Sequence, residues 1–346
     1  MTSKKSYIID ILIIVVIGGL SLYFSVGKEV KHVYKTIMHA DIRWMIFLAA
    51  IMMGYYVTDG IITAMFARRY KKDYTIKQGF INGLVGTLFS DITPSSSGGQ
   101  FAQVYLFNHQ GIDPTTSTSI LLMCFISYQA VMIVLTAIIM LIQAPYFMHE
   151  GAHVAFMAFL GFAINFAVTS ALLLAAKSEK VHHFITKYVV TFLSKIHIVK
   201  NKEATIYKVE DYLTSFRREL ANLEKNKKLF FKACLGNLIK LSIMYSTPFF
   251  ACKALHIHVT IAQFLNFMSL AAIINLINTF LPIPGASGGS EGMYMVLFAF
   301  LGQVNASSSM MLWRFFSFYF GLIVSFIVFV SSKEMKRPVA PIETTD

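Results

Sequence analysis

Long apolar stretches separated by short basic segments run through the whole chain. A helix that crosses the hydrocarbon core of a bilayer needs about 20 apolar residues. We therefore predict six membrane-spanning helices, at residues 7–26, 44–66, 118–143, 154–176, 229–255 and 309–332. The first resembles a signal peptide, but no small-residue cleavage motif follows it, so we expect it to remain as a membrane anchor.

Two further apolar regions, 79–110 and 263–303, are interrupted in the middle by Pro, Gly and Ser. The first break reads TPSSSGGQ at residues 93–100, and the second break reads IPGASGGS at residues 283–290. Pro94 and the Ser-Gly-Gly that follows it recur in the second break at a constant offset of 190 positions. The two breaks are therefore candidates for equivalent positions in an internal repeat.

The same offset relates the predicted helices on either side of the breaks. It carries the second predicted helix onto the position of the fifth, and the third onto the position of the sixth. We therefore predict repeat A at residues 40–143 and repeat B at residues 230–333. Interrupted helices in corresponding positions of two repeats are typical of secondary transporters, whose substrate sites lie near the middle of the membrane.

Composition excludes a soluble globular protein. Hydrophobic residues make up 56% of the chain and charged residues 14%, against roughly 45–50% and 25% in soluble domains. The 31 Phe and 18 Met exceed what a water-soluble globule of this size could bury. A nucleic-acid-binding protein would need a basic patch on a folded soluble surface, and the composition leaves no room for one.

The net charge of +12 comes from basic residues that flank the apolar stretches. They precede the first predicted helix, follow the second and the last, and occupy the segment 177–228. Because cytoplasmic loops are enriched in Lys and Arg, we place these groups and both termini on the cytoplasmic side of the cell membrane. Each interrupted region must then cross the membrane an even number of times. We predict two re-entrant helical hairpins that open to opposite sides, so that the two repeats are inverted.

The cytoplasmic segment 177–228 carries two stripes of apolar residues at helical spacing. One stripe runs from Val181 to Ile196, and the other runs from Ile206 to Leu223. Basic residues on the opposite faces favour two amphipathic helices that lie on the anionic inner leaflet. Docking of these helices onto the protein's own hairpins is the alternative.

The two breaks are candidate binding sites for an anionic headgroup. A proline ends one half-helix in each break, and a second half-helix begins near residue 98 and near residue 288. The free N–H groups and the positive dipole end at such a start attract a lipid phosphate. Simple capping of the half-helices is the alternative role for the serines. The candidate headgroup-binding residues are Ser95, Ser96, Ser97, Gly98, Gly99, Gln100, Ser287, Gly288, Gly289 and Ser290.

Five charged residues at membrane depth are candidates for coupling or for charge pairs, because ionisable groups inside a membrane are costly and are mostly functional. They are Asp59, Asp91, Lys240, Glu291 and Arg314. Asp59 and Lys240 are placed to pair across the interface between the repeats. Glu291 either caps the second half-helix or acts as a carboxylate coupled to a proton or a headgroup. Arg314 either snorkels to the outer interface or contacts a phosphate.

The pairing of TPSSSGGQ with LPIPGASGGSEG in this helix pattern resembles the lysylphosphatidylglycerol synthase transmembrane region. That region is the flippase-like membrane half of the multiple peptide resistance factor, and the resemblance extends over about residues 7–332. It implies a single flippase-like membrane domain over residues 1–346 and a link to antibiotic resistance. Full-length relatives carry a cytoplasmic C-terminal domain that transfers lysine to phosphatidylglycerol. Because the sequence ends in a short tail at Asp346, we expect that domain and its transferase activity to be absent.

The repeat and the resemblance together predict translocation of a phospholipid or glycolipid between leaflets, with lysylphosphatidylglycerol as one candidate. The alternatives are a phosphatidylglycerol lysyltransferase-type enzyme and a non-transporting membrane partner of a separately encoded lipid-modifying enzyme. The sequence has no nucleotide-binding loop, nucleophile elbow or metal-ligand spacing, so we expect no catalytic residue, metal or cofactor. Membrane lipids are the expected partners, nucleic acid is not, and the oligomeric state stays open.

Overall fold

The computed structural model describes residues 30–93, 96–145, 152–177, 202–279, 281, 283–332 and 334. The predicted span at 7–26 lies outside these ranges, as do both termini. Pro94 and Ser95 of the first break and the apolar stripe from Val181 to Ile196 also lie outside the described residues.

The described residues form helices joined by short turns and contain no strand, which confirms the predicted all-α class. The first half of the chain forms α1 Val30–Met38, α2 Ile42–Ala67, α3 Ile76–Asp91, α4 Ser97–His109, α5 Pro114–Ile142 and α6 Ala152–Lys177. The second half forms α7 Lys202–Lys225, α8 Lys227–Ala254, α9 Phe264–Asn278, α10 Gly289–Leu297, α11 Gln303–Arg314 and α12 Phe320–Ser331. A π-helical turn, Phe315–Tyr319, joins α11 to α12 without a break.

Four helices in the described part of the chain are long and apolar enough to cross a bilayer. They are Ile42–Ala67, Pro114–Ile142, Ile261–Asn278 and Gln303–Ser331. Three of the four coincide with predicted spans, and α6 and α8 lie at two further predicted spans. The remaining one, Ile261–Asn278, falls in the region predicted to form the second hairpin. The chain is therefore a multi-pass membrane protein.

Short polar sequences fix where the helices begin. The carboxylate of Asp41 accepts a hydrogen bond from the N–H of Arg43 at 2.8 Å and caps α2. Thr75 and Gln78 form a reciprocal capping box at the start of α3. Asp113 accepts from the N–H of Thr116 at 3.0 Å, and the proline that follows Asp113 occupies the first turn of α5.

Helices α2 and α8 pack against each other at the centre of the bundle and run antiparallel. The N–H of Asp41, just before α2, donates to the carbonyl of Ala254 at the end of α8, 2.7 Å away. Leu48 from α2 and Phe249 from α8 are fully buried in one apolar core together with Phe267 from α9. The two helices at the centre are the ones that the offset of 190 makes equivalent.

The first residues of α3 lie beside the last residues of α4. Gln110, just after α4, donates from Nε2 to the carbonyl of Gln78 at 3.2 Å and accepts at Oε1 from the hydroxyl of Tyr74 at 2.6 Å. Glu334, beyond α12, accepts from the same Nε2 at 2.5 Å. The 16 residues of α3 and 13 residues of α4 extend only about 24 and 20 Å, less than the ~30 Å hydrocarbon core. The start of α3 and the end of α4 are therefore next to each other.

Helices α9 and α10 are related in the same way. Phe267, in the first turn of α9, lies with its ring centroid 5.9 Å from that of Phe300, just beyond α10. The 9 residues of α10 extend about 14 Å. The start of α9 and the residues just after α10 are therefore next to each other.

The amphipathic helix α7 packs onto the protein. Leu213, Phe216 and Leu223 from its apolar stripe are each 2% exposed, and the helix contacts α5, α6 and α8. Arg218 donates from its guanidinium to the hydroxyl of Ser119 on α5 at 3.1 Å. The prediction that this stripe faces the inner leaflet is therefore wrong for the residues described, because the protein itself covers the apolar face.

Candidate functional site

A polar cavity of about 310 Å3 lies inside the bundle beside the first break. All of its walls come from α2, α3, α4 and α5, which belong to repeat A. The lining side chains are mostly polar or very small, in contrast to the apolar cores around them. They are Tyr55, Asp59, Thr63, Gly83, Gly86, Thr87, Ser90, Asp91, Gln100, Gln103, Leu121 and Cys124.

Two glycines of α3 make the room for the cavity. A Cβ atom at Gly83 would lie 2.6 Å from Oδ2 of Asp59, and a Cβ atom at Gly86 would lie 2.5 Å from Cδ of Gln103. Real Cβ atoms do not approach other atoms so closely. Any larger residue at these positions would therefore displace a polar side chain of the cavity wall.

A basic side chain from repeat B lies beside Asp59 of the cavity wall. The ammonium group of Lys240, on α8, forms an ion pair with the Asp59 carboxylate. It also lies 5.1 Å from the ring centroid of Tyr55 and 5.6 Å from that of Tyr128. The side chain of Lys240 is 8% exposed and that of Asp59 is 30% exposed, so the carboxylate faces the cavity and the ammonium lies behind it.

Asp91 is the second carboxylate of the cavity. It is the last residue of α3 and is only half-buried. It forms no ion pair within the described residues, but it interacts electrostatically with Arg314 from repeat B. Each carboxylate of the cavity therefore interacts with a basic residue of the other repeat, Asp59 through an ion pair and Asp91 through longer-range electrostatics.

The described part of the first break is open. Ser96, Ser97 and Gln100 are exposed, and Gln100 reaches the cavity. The N–H of Gly98 donates to the hydroxyl of Thr93 at 2.8 Å, so this threonine satisfies a backbone group at the start of α4. Gly99 packs so closely on the hydroxyl of Ser90 that a side chain would not fit there.

The second break is closed. Ser287, Ser290 and Glu291 are 0% exposed, and none of the described residues of this break lines the cavity. The carboxylate of Glu291 accepts from the N–H of Gly288 at 2.8 Å, so a side chain of the protein already occupies the positive end of α10. Gly288 has a φ of 85°, a conformation that favours glycine.

Arg314 is buried against the second break. Its side chain is 6% exposed, and its Nε atom lies 2.8 Å from Oε1 of Glu291 in an ion pair. The guanidinium also donates to the carbonyl of Gly285 at 2.6 Å and lies 4.2 Å above the ring centroid of Phe318. Of the two alternatives for Arg314, snorkelling to the outer interface is therefore wrong, because the side chain points into protein.

The structure thus divides the predicted site residues between two places. Asp59, Asp91, Gln100 and the pairing partner Lys240 lie in or against the cavity, whereas Ser287, Ser290, Glu291 and Arg314 form a separate closed cluster. None of the described residues of the second break lines the cavity, so a single headgroup site formed by both breaks stays a prediction. Ser95 lies outside the described residues.

Sequence reasoning missed most of the cavity wall, including Tyr55, Thr87 and Cys124. The signal for Gln103 was present, since it follows Gln100 by three positions in a short helix and therefore shares its face. The amide of Asn82 donates to the carbonyl of Gln103 at 3.1 Å and fixes α4 against α3. No pattern marked Gly83 and Gly86 as cavity-forming.

No group of three or more His, Cys, Asp or Glu side chains lies close enough to hold a metal ion among the residues that the structure describes.

A comparison with curated proteins finds no match to this chain. The sequence matches the family described as Lysylphosphatidylglycerol synthase TM region over residues 7–325. A match over most of the 346 residues, on a bundle of apolar helices, shows the family that the two breaks suggested. The chain belongs to the lysylphosphatidylglycerol synthase transmembrane-region family.

Proposed function

We propose that the protein translocates a phospholipid between the leaflets of the membrane and that the headgroup passes through the cavity of repeat A. The observation that carries this proposal is the cavity itself, a polar space of about 310 Å3 within a bundle of membrane helices. Polar groups at membrane depth must face protein partners or a water-filled space. Such a space suits a lipid headgroup that must cross the hydrocarbon core.

The charges of the cavity favour a headgroup that carries an ammonium group. The walls contain two carboxylates, Asp59 and Asp91, and only Asp59 is ion-paired within the described residues. A phosphate alone would be repelled by the carboxylate of Asp91, whereas an ammonium group would be attracted to it. The family's name connects the chain with lysylphosphatidylglycerol, whose lysyl group provides such an ammonium. Lysylphosphatidylglycerol is therefore the substrate that we propose first.

The proposed transport unit is the predicted pair of repeats. Helices α2, α3 and α4 correspond to α8, α9 and α10 at the offset of 190, and α5 corresponds to the continuous helix from α11 to α12. The contacts correspond as well. The contacts α2–α3, α3–α4, α4–α5 and α3–α12 have the counterparts α8–α9, α9–α10, α10–α11 and α9–α5. This exchange of partners supports an internal two-fold relation between the repeats.

The positions of the short helices support an inverted arrangement. The pair α3 and α4 begins and ends near the C-terminal end of α2, where Gln110 bonds to Tyr74 and Gln78. The pair α9 and α10 follows the end of α8, which is bonded to the start of α2 through Asp41. We therefore propose that the two hairpins enter from opposite faces, with Glu334 and both chain termini on the cytoplasmic side.

The test is lipid movement in proteoliposomes that contain one fluorescent lipid at a time. Phosphatidylglycerol, phosphatidylethanolamine and lysylphosphatidylglycerol give an ordered series of headgroup charge. The wild-type protein should move the ammonium-bearing lipids faster than phosphatidylglycerol. Equal rates for all three lipids would contradict selection by charge, and movement of none would contradict translocation.

The matched variants are Asp91→Asn in the cavity and Asp113→Asn as the control. Asp91→Asn should lower the rate for lysylphosphatidylglycerol by about tenfold or more, because a hydrogen bond to a charged group contributes roughly 1.5–3 kcal/mol. Asp113 lies outside the cavity and caps α5, and asparagine also caps helices. Asp113→Asn should therefore leave the rate unchanged.

A further inference from the structure

Arg314 interacts with one carboxylate from each repeat. Glu291 lies in the first turn of α10, just after the second break, and Asp91 lies in the cavity wall. In the described part of the chain the guanidinium has only one ion-pair partner, Glu291. Asp91 interacts electrostatically with Arg314, and its neighbour Ile92 packs on Phe318, whose ring lies under the guanidinium.

The contacts on the side of Glu291 hold the second break closed. The guanidinium of Arg314 donates to the carbonyl of Gly285, and one of its nitrogens lies 3.4 Å from the hydroxyl of Ser287. It therefore contacts two residues of the second break. The other carboxylate oxygen of Glu291 accepts from the N–H of Gly288. Loss of the cation would leave the Glu291 carboxylate buried and uncompensated, which is strongly destabilising.

The contacts on the side of Asp91 run through an apolar cluster. Ile92, next to Asp91, is buried against Phe318, and Phe318 lies under the guanidinium of Arg314. Helix α3 also packs on the turn Pro284–Ala286 and on α12. The end of α3 and the second break are therefore in direct mechanical contact.

The helix that carries Arg314 contains a local irregularity. The π-helical turn Phe315–Tyr319 begins at the next residue, whereas α5 is regular at the equivalent positions in repeat A. Single π turns inside α-helices occur frequently at functional sites and carry one extra residue per turn. A change of register there would rotate Arg314 relative to α3 and to the second break.

We propose that Arg314 is a positioning residue that couples the charge of the cavity to the closure of the second break. With Asp91 free, Arg314 is ion-paired with Glu291 and is also attracted to the charge of Asp91. When a headgroup ammonium neutralises Asp91, Arg314 is held by Glu291 alone and the second break tightens. The identity of the ligand, a headgroup ammonium, rests on the proposed function. The coupling between Asp91, Arg314 and Glu291 does not, because it exists in the protein without a ligand.

The experiment measures cysteine labelling at two places. The first reporter is Ser290→Cys, in a background in which Cys124, Cys234 and Cys252 are replaced by Ser. Ser290 is fully buried, and its hydroxyl has no hydrogen-bond partner within the described residues. Labelling of this cysteine therefore reports opening of the second break. Gln100→Cys, at the equivalent exposed position of the first break, is the matched control. Glu291→Gln should raise the labelling rate of the Ser290→Cys reporter by about tenfold or more and should leave that of the Gln100→Cys control unchanged.

The second reporter is the native Cys124 in the cavity, with Cys234 and Cys252 replaced by Ser. Cationic and anionic methanethiosulfonates of similar size report the charge beside it. Glu291→Gln should release Arg314 toward Asp91, so the cationic-to-anionic rate ratio should fall about threefold or more. Adding Asp91→Asn should remove that fall, since Arg314 then has no carboxylate to approach in the cavity.

An unchanged ratio at Cys124 in Glu291→Gln would overturn the coupling, because Arg314 would then act only within the second break. If Glu291→Gln does not fold, Arg314→Gln should raise the ratio and Arg314→Lys should not. Equal ratios in these two variants would also overturn the proposal. None of these measurements needs lipid movement, so a wild-type protein that couples but moves no lipid would contradict the proposed function alone.

Discussion

Under the predicted internal repeat, equivalent positions of repeat A and repeat B are filled in opposite ways. Gly83 and Gly86 of α3 line the cavity, and at the offset of 190 they correspond to Ile273 and Leu276 of α9, which are both 0% exposed. Asp59 corresponds in the same way to Phe249, which is 2% exposed. Repeat A therefore keeps a polar space where repeat B is filled with apolar side chains.

The difference extends to the ionic groups. Arg314 occupies the position that corresponds to Cys124 of the cavity, and the buried Glu291 occupies the position of Phe101, which is 78% exposed. Repeat B thus uses its charged side chains to close its own break, while Lys240 and Arg314 supply positive charge to the carboxylates of repeat A. The proposed symmetry of the backbone therefore does not extend to the side chains of the site.

The largest expected effect comes from giving repeat A the residues of repeat B. The double variant Gly83→Ile with Gly86→Leu should fill the cavity and lower translocation to the rate of protein-free liposomes, because no space is left for a headgroup. The overpacking should also lower the free energy of unfolding by roughly 1–3 kcal/mol per side chain. Gly292→Leu is the control for added bulk, because a Cβ atom at Gly292 meets nothing within 4 Å. The measurement is the initial rate of lipid movement in proteoliposomes. A double variant that transports at the wild-type rate would place the site elsewhere.

The reverse exchange should damage stability. Leu276→Ala should lower the free energy of unfolding by about 2–5 kcal/mol, because it leaves a void in a tightly packed core. Gly86→Ala in the equivalent position of α3 should cost less, since the side chain of Gln103 can move aside into the cavity. Denaturant unfolding of both variants in detergent micelles gives the comparison. Equal losses would show that the equivalent positions of the two repeats are packed alike.

The ion pair between the repeats should contribute a smaller amount. Lys240→Gln leaves the Asp59 carboxylate without its cation and should lower the free energy of unfolding by about 1–3 kcal/mol, less than for a fully buried pair because Asp59 is partly exposed. Asp59→Asn in the same chain should restore most of the loss. If the double variant is no more stable than Lys240→Gln, the pair does not act as a unit.

The smallest expected effect is at the first break. Thr93→Ala removes the hydroxyl that accepts from the N–H of Gly98 and should cost about 1 kcal/mol of stability, as for other lost helix caps. Thr93→Ser retains the hydroxyl and should be close to wild type. Thermal unfolding in detergent separates the two variants. A Thr93→Ser protein as unstable as Thr93→Ala would point to the lost methyl group instead.

The scaffold could be predicted from the sequence because its signals are long and periodic. Apolar length located α2, α5 and the helix from α11 to α12, and the recurrence of Pro and Ser-Gly-Gly located both breaks. Asp59 and Lys240 could be predicted as partners because a lone charge inside a membrane is costly. In the structure, Asp59 and Lys240 form this ion pair.

The cavity could not be predicted, because it depends on contacts between helices that are far apart in sequence. In the sequence, Gly83 and Gly86 are two small residues of a helix without a distinguishing pattern. Their role is evident only from the packing of Asp59 and Gln103 against them. The closed state of the second break was equally hidden, since Glu291 and Arg314 are 23 positions apart and pair only when α10 packs on α11. The stripe on α7 was ambiguous, because an apolar face fits a membrane surface or a protein surface equally well.

Lipid-dependent labelling of Cys124 tests most directly whether the cavity of repeat A holds the headgroup. Cys124 is the only one of the three cysteines that lines the cavity, so Cys234→Ser with Cys252→Ser leaves a single native reporter. Labelling with a cationic methanethiosulfonate in phosphatidylglycerol liposomes should slow by about tenfold when lysylphosphatidylglycerol is included, and the labelled protein should no longer move lipid. Labelling that is independent of the lipid, with translocation unchanged afterwards, would contradict a headgroup site in repeat A.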